Sequence, residues 1–478
     1  MAIVRLVAAM GPLLLVAAFP AQGSNASERP SMAAAPRAHC GPGAQPETAA
    51  QGRVPASDYT SGRAAQGYTC NTREVGHYGQ TGGLKVFRFV DNAGHTCAFY
   101  DSTTFFPTDA LTNLTKDGLG VVVLDMSDPT HPNKVANLTS PAMLTPHESL
   151  VLNDKRGLLV AVAGNAVTYP GVVDVYDVKQ NCLAPKLLST SATGVLGHES
   201  AFSADGRTFY ASSTVGGTLA AVDLSDPTNP KTLFYEVGAY YHGMRVSADG
   251  NRLYVAYIGQ PAIAFADRGL QILDVSEIQA RKPNPQAPVI SDLTWPSKST
   301  PQIPIPITIG KHKYLLEVDE FASTGPAPEV GAARIINIDN DRRPTLVSNI
   351  RLQVHQPDDF KGPQQNDPGA ADPQFGGYTA HYCSVPRPDN PTLAACSFIA
   401  SGLRIFDLRD PKAPREVAYF NRPPSRGARA MSAPAWDLQH DQVWYSDANG
   451  GFYAVQLTNG VGSLLHLRTK SPPGAKAG

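Results

Sequence analysis

The chain has 478 residues, with 40 Lys and Arg against 41 Asp and Glu, giving a net charge of −1. No basic stripe and no block of like charge occurs, which excludes nucleic acid as a partner, since its binding rests on clustered Lys and Arg, and excludes a polybasic membrane-surface patch. Such a length exceeds the usual single core unless the core is divided among repeats that each pack on their neighbours.

In chain order, Met1–Arg5 carries one positive charge, Leu6–Phe19 is an apolar run of 14 residues, and small residues follow at Ala21, Gly23 and Ala26. This is the layout of a secretory signal peptide over residues 1–26, and the run is short of the ~20 residues that cross a bilayer as a helix. No later stretch is apolar enough to span, so the expectation is a secreted, extracellular protein without a transmembrane segment after cleavage. Residues 27–80 are expected to form an extended arm, because residues 27–65 are rich in Ala, Pro, Gly and Ser and poor in large apolar side chains.

Six cysteines in an exported chain are read as three disulfides. Cys383 and Cys396 flank a Pro/Asp/Asn turn and are expected to pair across a hairpin. Cys70 and Cys97 flank the predicted strand Leu84–Phe89 and are expected to pair, which leaves Cys40 with Cys182. No CxxC occurs, so the cysteines do not read as a metal site.

From residue 81 to 460 a strand ending in Asp recurs, often followed by a proline-marked turn. It reads GVVVLDMSDPTHP (Asp125), GVVDVYDVKQ (Asp177), GTLAAVDLSDPTNP (Asp223), RGLQILDVSEI (Asp274), ARIINIDN (Asn337), SGLRIFDLRDPKAP (Asp407) and GFYAVQL (Gln456). The spacings are 52, 46, 51, 63, 70 and 49 residues. Periods of this size, built of short Val-, Ile-, Tyr- and Phe-rich runs between turn residues, predict an all-β seven-bladed β-propeller of four-stranded blades. The two longest intervals are read as Pro-rich loops at Arg281–Ile303 and Lys361–Gly377, and residues 461–478 as a tail. The seventh blade is expected to be clasped by chain from near Thr81–Phe89. The recurring Asp is read as scaffold, accepting backbone N–H groups of the next turn.

The DMSDPTHP, DLSDPTNP and DLRDPKAP copies resemble the LVIVD-repeat family of secreted β-propeller proteins, over about Leu84 to Leu457. The resemblance implies a propeller and export, and no one chemistry.

A second register is made of histidines at the start of the first strand of several units: TPHES (His147), LGHES (His198), YYHGM (His242) and TAHYC (His381). From His147 to Leu158, His198 to Phe209 and His242 to Leu253 the spacing is 11 residues each. First strands line the central channel of a propeller, so the four imidazoles should ring one mouth. Unit five lacks the His but carries Glu317, Asp319 and Glu320 on its second strand, with Glu320 the expected carboxylate. Unit seven has Ser432 at that position. Neutral imidazoles with carboxylates suit a divalent transition metal. The competing structural reading gives each His a hydrogen bond to neighbouring backbone or to the repeat Asp. Glu148 and Glu199 follow two of the histidines, but successive strand residues should point to opposite faces. His355 is a further candidate for the mouth. Ser149 and Ser200 lack any oxyanion feature, Trp295, Trp436 and Trp444 read as packing, and Asn25, Asn113 and Asn137 begin N-x-S/T sequons.

Two functions follow. One is a secreted binding scaffold whose histidine-lined mouth contacts an extracellular ligand, protein or metal. The other is a metal-dependent extracellular enzyme, an oxidoreductase or lyase, using the histidine ring.

Overall fold

The computed structural model describes residues 30–104, 110–163, 171–192, 196–214, 216–260, 267–295, 299–320, 331–360, 362–370 and 377–467. The expected signal peptide, the end of the tail, and Asn25 lie outside them. Seven antiparallel sheets follow one another around a ring, as the repeat predicts. In blade three the strands are Glu199–Phe202, Thr208–Ser213, Thr218–Asp223 and Lys231–Val237, running from the axis outward.

Alternation along each strand explains why the blades stack. Leu159 and Ala161 of blade two pack with Phe99 and Val121 of blade one, while Leu158, Val160 and Val162 pack with Phe209 and Val222 of blade three. A strand has period two, so its odd and even residues serve two different interfaces. The last interface closes the ring: Val86, Tyr100 and Val122 of blade one pack on Trp444 and Phe452 of blade seven. Trp444 is therefore core, as its sequence context suggested.

The repeat Asp performs the expected task. Asp125, Asp177, Asp223, Asp274 and Asp407 each accept the backbone N–H two residues on, and Asn337 does the same. These are Asx turns that stop the third strand. Gln456 departs from the pattern: its amide donates to the carbonyls of His440 and Asp441.

Ring closure differs from expectation in its residues. The strand Thr72–Tyr78 pairs with Gly451–Leu457 as the outer strand of blade seven, and Val86–Val90 is the inner strand of blade one. The clasp is therefore upstream of Thr81–Phe89. The chain before it is also used: Tyr68–Cys70 adds a fifth strand to blade six, beside Arg415–Asn421. Nor is Arg281–Ile303 a loop throughout. It contains Val289–Thr294, the outer strand of blade four, and enters Thr300–Ile309, the inner strand of blade five. That inner strand tolerates Pro301, Pro304 and Pro306 because it pairs on one side only.

Cys383 pairs with Cys396, as read from the hairpin. The other two expected pairs are exchanged: Cys40 joins Cys70, and Cys97 joins Cys182. The reason is register. Cys70 ends the added strand on blade six, beside the arm, whereas Cys97 lies on the second strand of blade one and faces blade two.

The two bridges with unlike spans give a test. Cys97–Cys182 closes 85 residues and Cys383–Cys396 closes 13. Loop-closure entropy predicts that replacing the first pair by Ala costs about 1–2 kcal/mol more than replacing the second. Denaturant unfolding of the two double variants measures this, and equal losses would remove loop entropy as the source.

Candidate functional site

The beginnings of the inner strands of blades two, three, four and six, with the end of the second strand of blade five, bring His147, His198, His242, His381 and Glu320 together where the channel mouth was expected, with Glu148 at the centre of the group. His198 Nε2 lies 2.8 Å from His242 Nε2, and both lie 3.1 Å from Glu148 Oε2. His242 Nε2 is 3.2 Å from Glu320 Oε2, and His381 Nε2 is 3.2 Å from Glu148 Oε1. The rings of His147 and His198 meet edge to face at 4.5 Å. Glu148, His242, Glu320 and His381 are buried, while His198 keeps 19% of its side-chain surface and His147 is half-buried.

The far side of each ring decides what the near side offers. His242 Nδ1 is 2.9 Å from the Pro301 carbonyl, His381 Nδ1 is 2.5 Å from that of Met431, and His147 Nδ1 is 3.2 Å from that of Thr104. A carbonyl only accepts, so each Nδ1 carries the hydrogen and a neutral ring turns its Nε2 lone pair inward. His198 Nδ1 is 3.2 Å from the Thr214 hydroxyl. Glu148 Oε2 and Glu320 Oε2 are buried, and the polar atoms facing them are imidazole nitrogens at 3.1–3.2 Å, which can donate to them only when protonated at Nε2. Buried carboxylate oxygens facing imidazole lone pairs are costly without a cation or a proton between them. Donors bound to one ion at about 2.0–2.2 Å stand roughly 3.0–3.5 Å apart, close to most of the spacings found.

Local backbone explains each placement. Glu199 obeys strand alternation: His198 faces the mouth and Glu199 turns away to meet Lys85. Glu148 does not, because His147 has a left-handed backbone (φ 50°) and the strand starts only at Val151. The alternation argument therefore failed for Glu148, which sequence reasoning had set aside. His242 lies at a β-bulge in the inner strand of blade four, and Gln302 at one in blade five. A bulge re-aims a side chain. Gln302 was missed. It donates from Nε2 to Glu148 Oε1 at 2.6 Å and stands 3.3 Å from His381 Nε2. Its place on the first strand of a unit lacking the His was the available signal.

Other sequence candidates lie elsewhere. Glu317 and Asp319 form ion pairs with Arg334, which stacks over Trp295 at 4.1 Å. His355 does not join the mouth; its ring accepts from Leu352 N and donates to the Tyr378 carbonyl at 2.7 Å. Ser149 donates to the carbonyls of Pro146 and Val162 and Ser200 to that of Ser149, so neither is placed as a nucleophile, and Ser432, at the His position of unit seven, donates to Ser446 O. Asn113 is buried with its amide on Ser102 O, and the half-buried Asn137 donates from its amide to Leu119 O. Trp436 donates to Ser384.

Residues 117–140, around the third and fourth strands of blade one, match the LVIVD repeat. No curated protein matches the chain. Among solved structures it is similar to hydrazine synthase of Kuenenia stuttgartiensis, at 12% identity and a TM-score of 0.49, over 79% of this chain and 96% of that one. It is also similar to a Bacteroides uniformis protein described as a 6-phosphogluconolactonase, at 14% identity and a TM-score of 0.43, over 77% and 89% of the two chains. The chain is a repeat β-propeller; likenesses this distant carry nothing about its activity.

The cluster has a pH signature in the absence of any ion. Burial alone would lower the His242 pKa, but the carboxylates of Glu320 and Glu148 outweigh it and raise it to about 9. A histidine raised above its unfolded value of about 6.5 stabilises the fold fully below that value, and the contribution is lost as pH rises through 9. Metal-stripped protein should therefore lose on the order of 3 kcal/mol between pH 6.5 and pH 9.5 from this group. Denaturation at several pH values, with His242→Gln as the control that flattens the change, measures it.

Proposed function

We propose that this chain is an exported β-propeller scaffold whose channel mouth binds one divalent transition-metal ion. The observation that carries the reading is the convergence of buried and half-buried imidazole and carboxylate ligand atoms: Glu148, His242 and Glu320 offer atoms within 4.8 Å of one another, as do His147, Glu148 and His198. Glu148, His242 and Glu320 would hold the ion, with His198 beside them, His147 at the rim, and His381 and Gln302 fixing the Glu148 carboxylate. Two carboxylates balance a dication, and nitrogen donors favour a first-row transition metal over calcium or magnesium. All six cysteines are in disulfides, so no thiolate is on offer to a softer ion. The same disulfides support export, and no helix among the described residues is long and apolar enough to cross a membrane.

The enzyme alternative draws on one feature. The exposed edges of His147 and His198 leave the ion reachable by a small extracellular molecule from that face. A bound ion would supply Lewis acidity there, while the surrounding residues hold it and exclude bulk water from the His381 side.

Elemental analysis of protein purified without chelator, alongside single His198→Ala, His242→Ala and His381→Ala variants, tests the reading. Stoichiometric metal in the wild type is expected, with affinity weakened at least tenfold in each variant. Affinity should rise with pH up to about 9, because the ion displaces a proton from His242. A wild type that takes up no ion at pH 9 from Zn²⁺, Cu²⁺, Co²⁺ or Mn²⁺ would sink the proposal.

A further inference from the structure

Next to the histidine group the axis holds a second set of charges. Lys85 Nζ reaches both carboxylate oxygens of Glu199 at 2.8 Å, and the Tyr382 hydroxyl donates to Glu199 Oε2 at 3.1 Å. Lys85 Nζ also sits 4.2 Å from the centre of the Tyr382 ring. These residues come from blades one, three and six, and side chains from three non-adjacent blades meet only on the axis. All three are buried to 1% exposure or less. Arg245 of blade four approaches Glu199 at 3.4 Å and retains 31% of its side-chain surface.

The two sets are joined through the backbone. Glu199 follows His198 and Tyr382 follows His381, so each of these strands puts a donor in the histidine group and the next side chain in this layer. Glu148 and Glu199 are themselves partners in a bridge between inner strands. A buried Lys–Glu pair is expensive to desolvate, and an apolar pair of similar volume would stabilise the fold as well or better. Its retention on the axis therefore asks for a role beyond holding blades together.

We infer that the Lys85–Glu199 pair is the electrostatic floor of the mouth and sets the affinity of the site for a dication. The inference rests on the metal reading above. Lys85 and Glu199 are positioning residues: they touch no ion, and they act by the field they place beneath Glu148. The pair presents a balanced charge, so the two carboxylates of the histidine group match a charge of two. Upsetting either partner changes that match in opposite directions. With Lys85 removed, Glu199 keeps only the partly exposed Arg245 as a counter-charge and makes the potential under the ion more negative. With Glu199 removed, Lys85 and Arg245 add uncompensated positive charge.

Opposite signs are what a purely structural role cannot produce. Dissociation constants for Zn²⁺ and Mn²⁺ should be measured on wild type, Lys85→Met, Glu199→Gln and the double variant, with thermal unfolding of each. Lys85→Met should bind roughly tenfold more tightly and Glu199→Gln roughly tenfold more weakly, while the double variant returns to within about threefold of wild type. If a single variant does not fold, the double variant and Tyr382→Phe still decide. The first should keep near-native affinity, and the second, which leaves the charges in place, should leave affinity unchanged. Weakening in both single variants, or a change in neither, overturns the inference while leaving the metal site standing. A wild type that binds no ion overturns the metal reading instead.

Discussion

A propeller axis must be filled, and in this chain it is filled with charge. Inner strands from seven blades converge on a column where backbone cannot follow, so side chains from non-adjacent blades meet there and nowhere else. Lys85 from blade one reaches Glu199 from blade three, and Glu148 from blade two lies within 3.2 Å of nitrogens from blades three, four and six. Buried ions that meet in this way must neutralise one another, because burial withdraws them from bulk water and an uncompensated charge costs several kcal/mol. Lys85 and Glu199 satisfy each other. Glu148 and Glu320 face imidazoles, and they are neutralised when those imidazoles hold protons or an ion, or when a carboxyl is itself protonated, the direction in which burial pushes Glu320.

The repeat supplies the positions, and irregular backbone supplies the aim. A regular inner strand sends alternate side chains to the two neighbouring blades, as in the interfaces on either side of blade two. At the mouth this regularity is broken three times: by the left-handed residue His147, by the bulge at His242, and by the bulge at Gln302. The last two lie against each other. A Cβ on Gly243 would stand 2.1 Å from the Gln302 carbonyl, so only glycine allows the two bulged strands to approach this closely. Because of that approach His242 can donate to Pro301 O.

The same distinction explains what was legible in the sequence. Spacing and strand composition identified seven blades, and the Asx turns carry their signal in a single residue type. The histidines and Glu320 were legible because they recur in register or stand where a recurrence lapses. Glu148 was not, since its orientation depends on the φ of the residue before it rather than on residue type. Gln302 was obscured by a bulge that shifts it out of the 11-residue spacing of its neighbours. Cysteine pairing and the closing strand failed for a different reason. Both depend on which outer edge the N-terminal chain meets, a long-range choice that neither alternation nor turn chemistry encodes. Glu47, buried against Arg404 of blade six, shows how closely that chain is fitted.

The division of labour around the ring separates scaffold from site. Adjacent blades are fastened near the axis by serines. Ser200 donates to Ser149 O, Ser212 to His242 O, Ser397 to Ser432 O and Ser446 to Gly83 O. These hydroxyls join neighbouring blades by bonds that any small polar residue of the right geometry could make. Three of the imidazoles share that task through one edge only: His147, His242 and His381 each donate from Nδ1 to a carbonyl of the neighbouring blade, which leaves Nε2 of His242 and His381 facing the carboxylates of Glu148 and Glu320. Across the blades the mouth positions differ, as His147, His198, His242, Gln302, His381 and Ser432, whereas the Asx turn recurs in six of seven blades. A requirement of the fold falls on every blade alike, because each must solve the same packing problem. A requirement of a ligand falls on the ring as a whole, and is met when enough blades on one side contribute donors. The mouth has the uneven distribution that the proposed metal site would call for, with its imidazoles and carboxylates drawn from blades two to six and Ser432, bonded to its own blade, on the seventh.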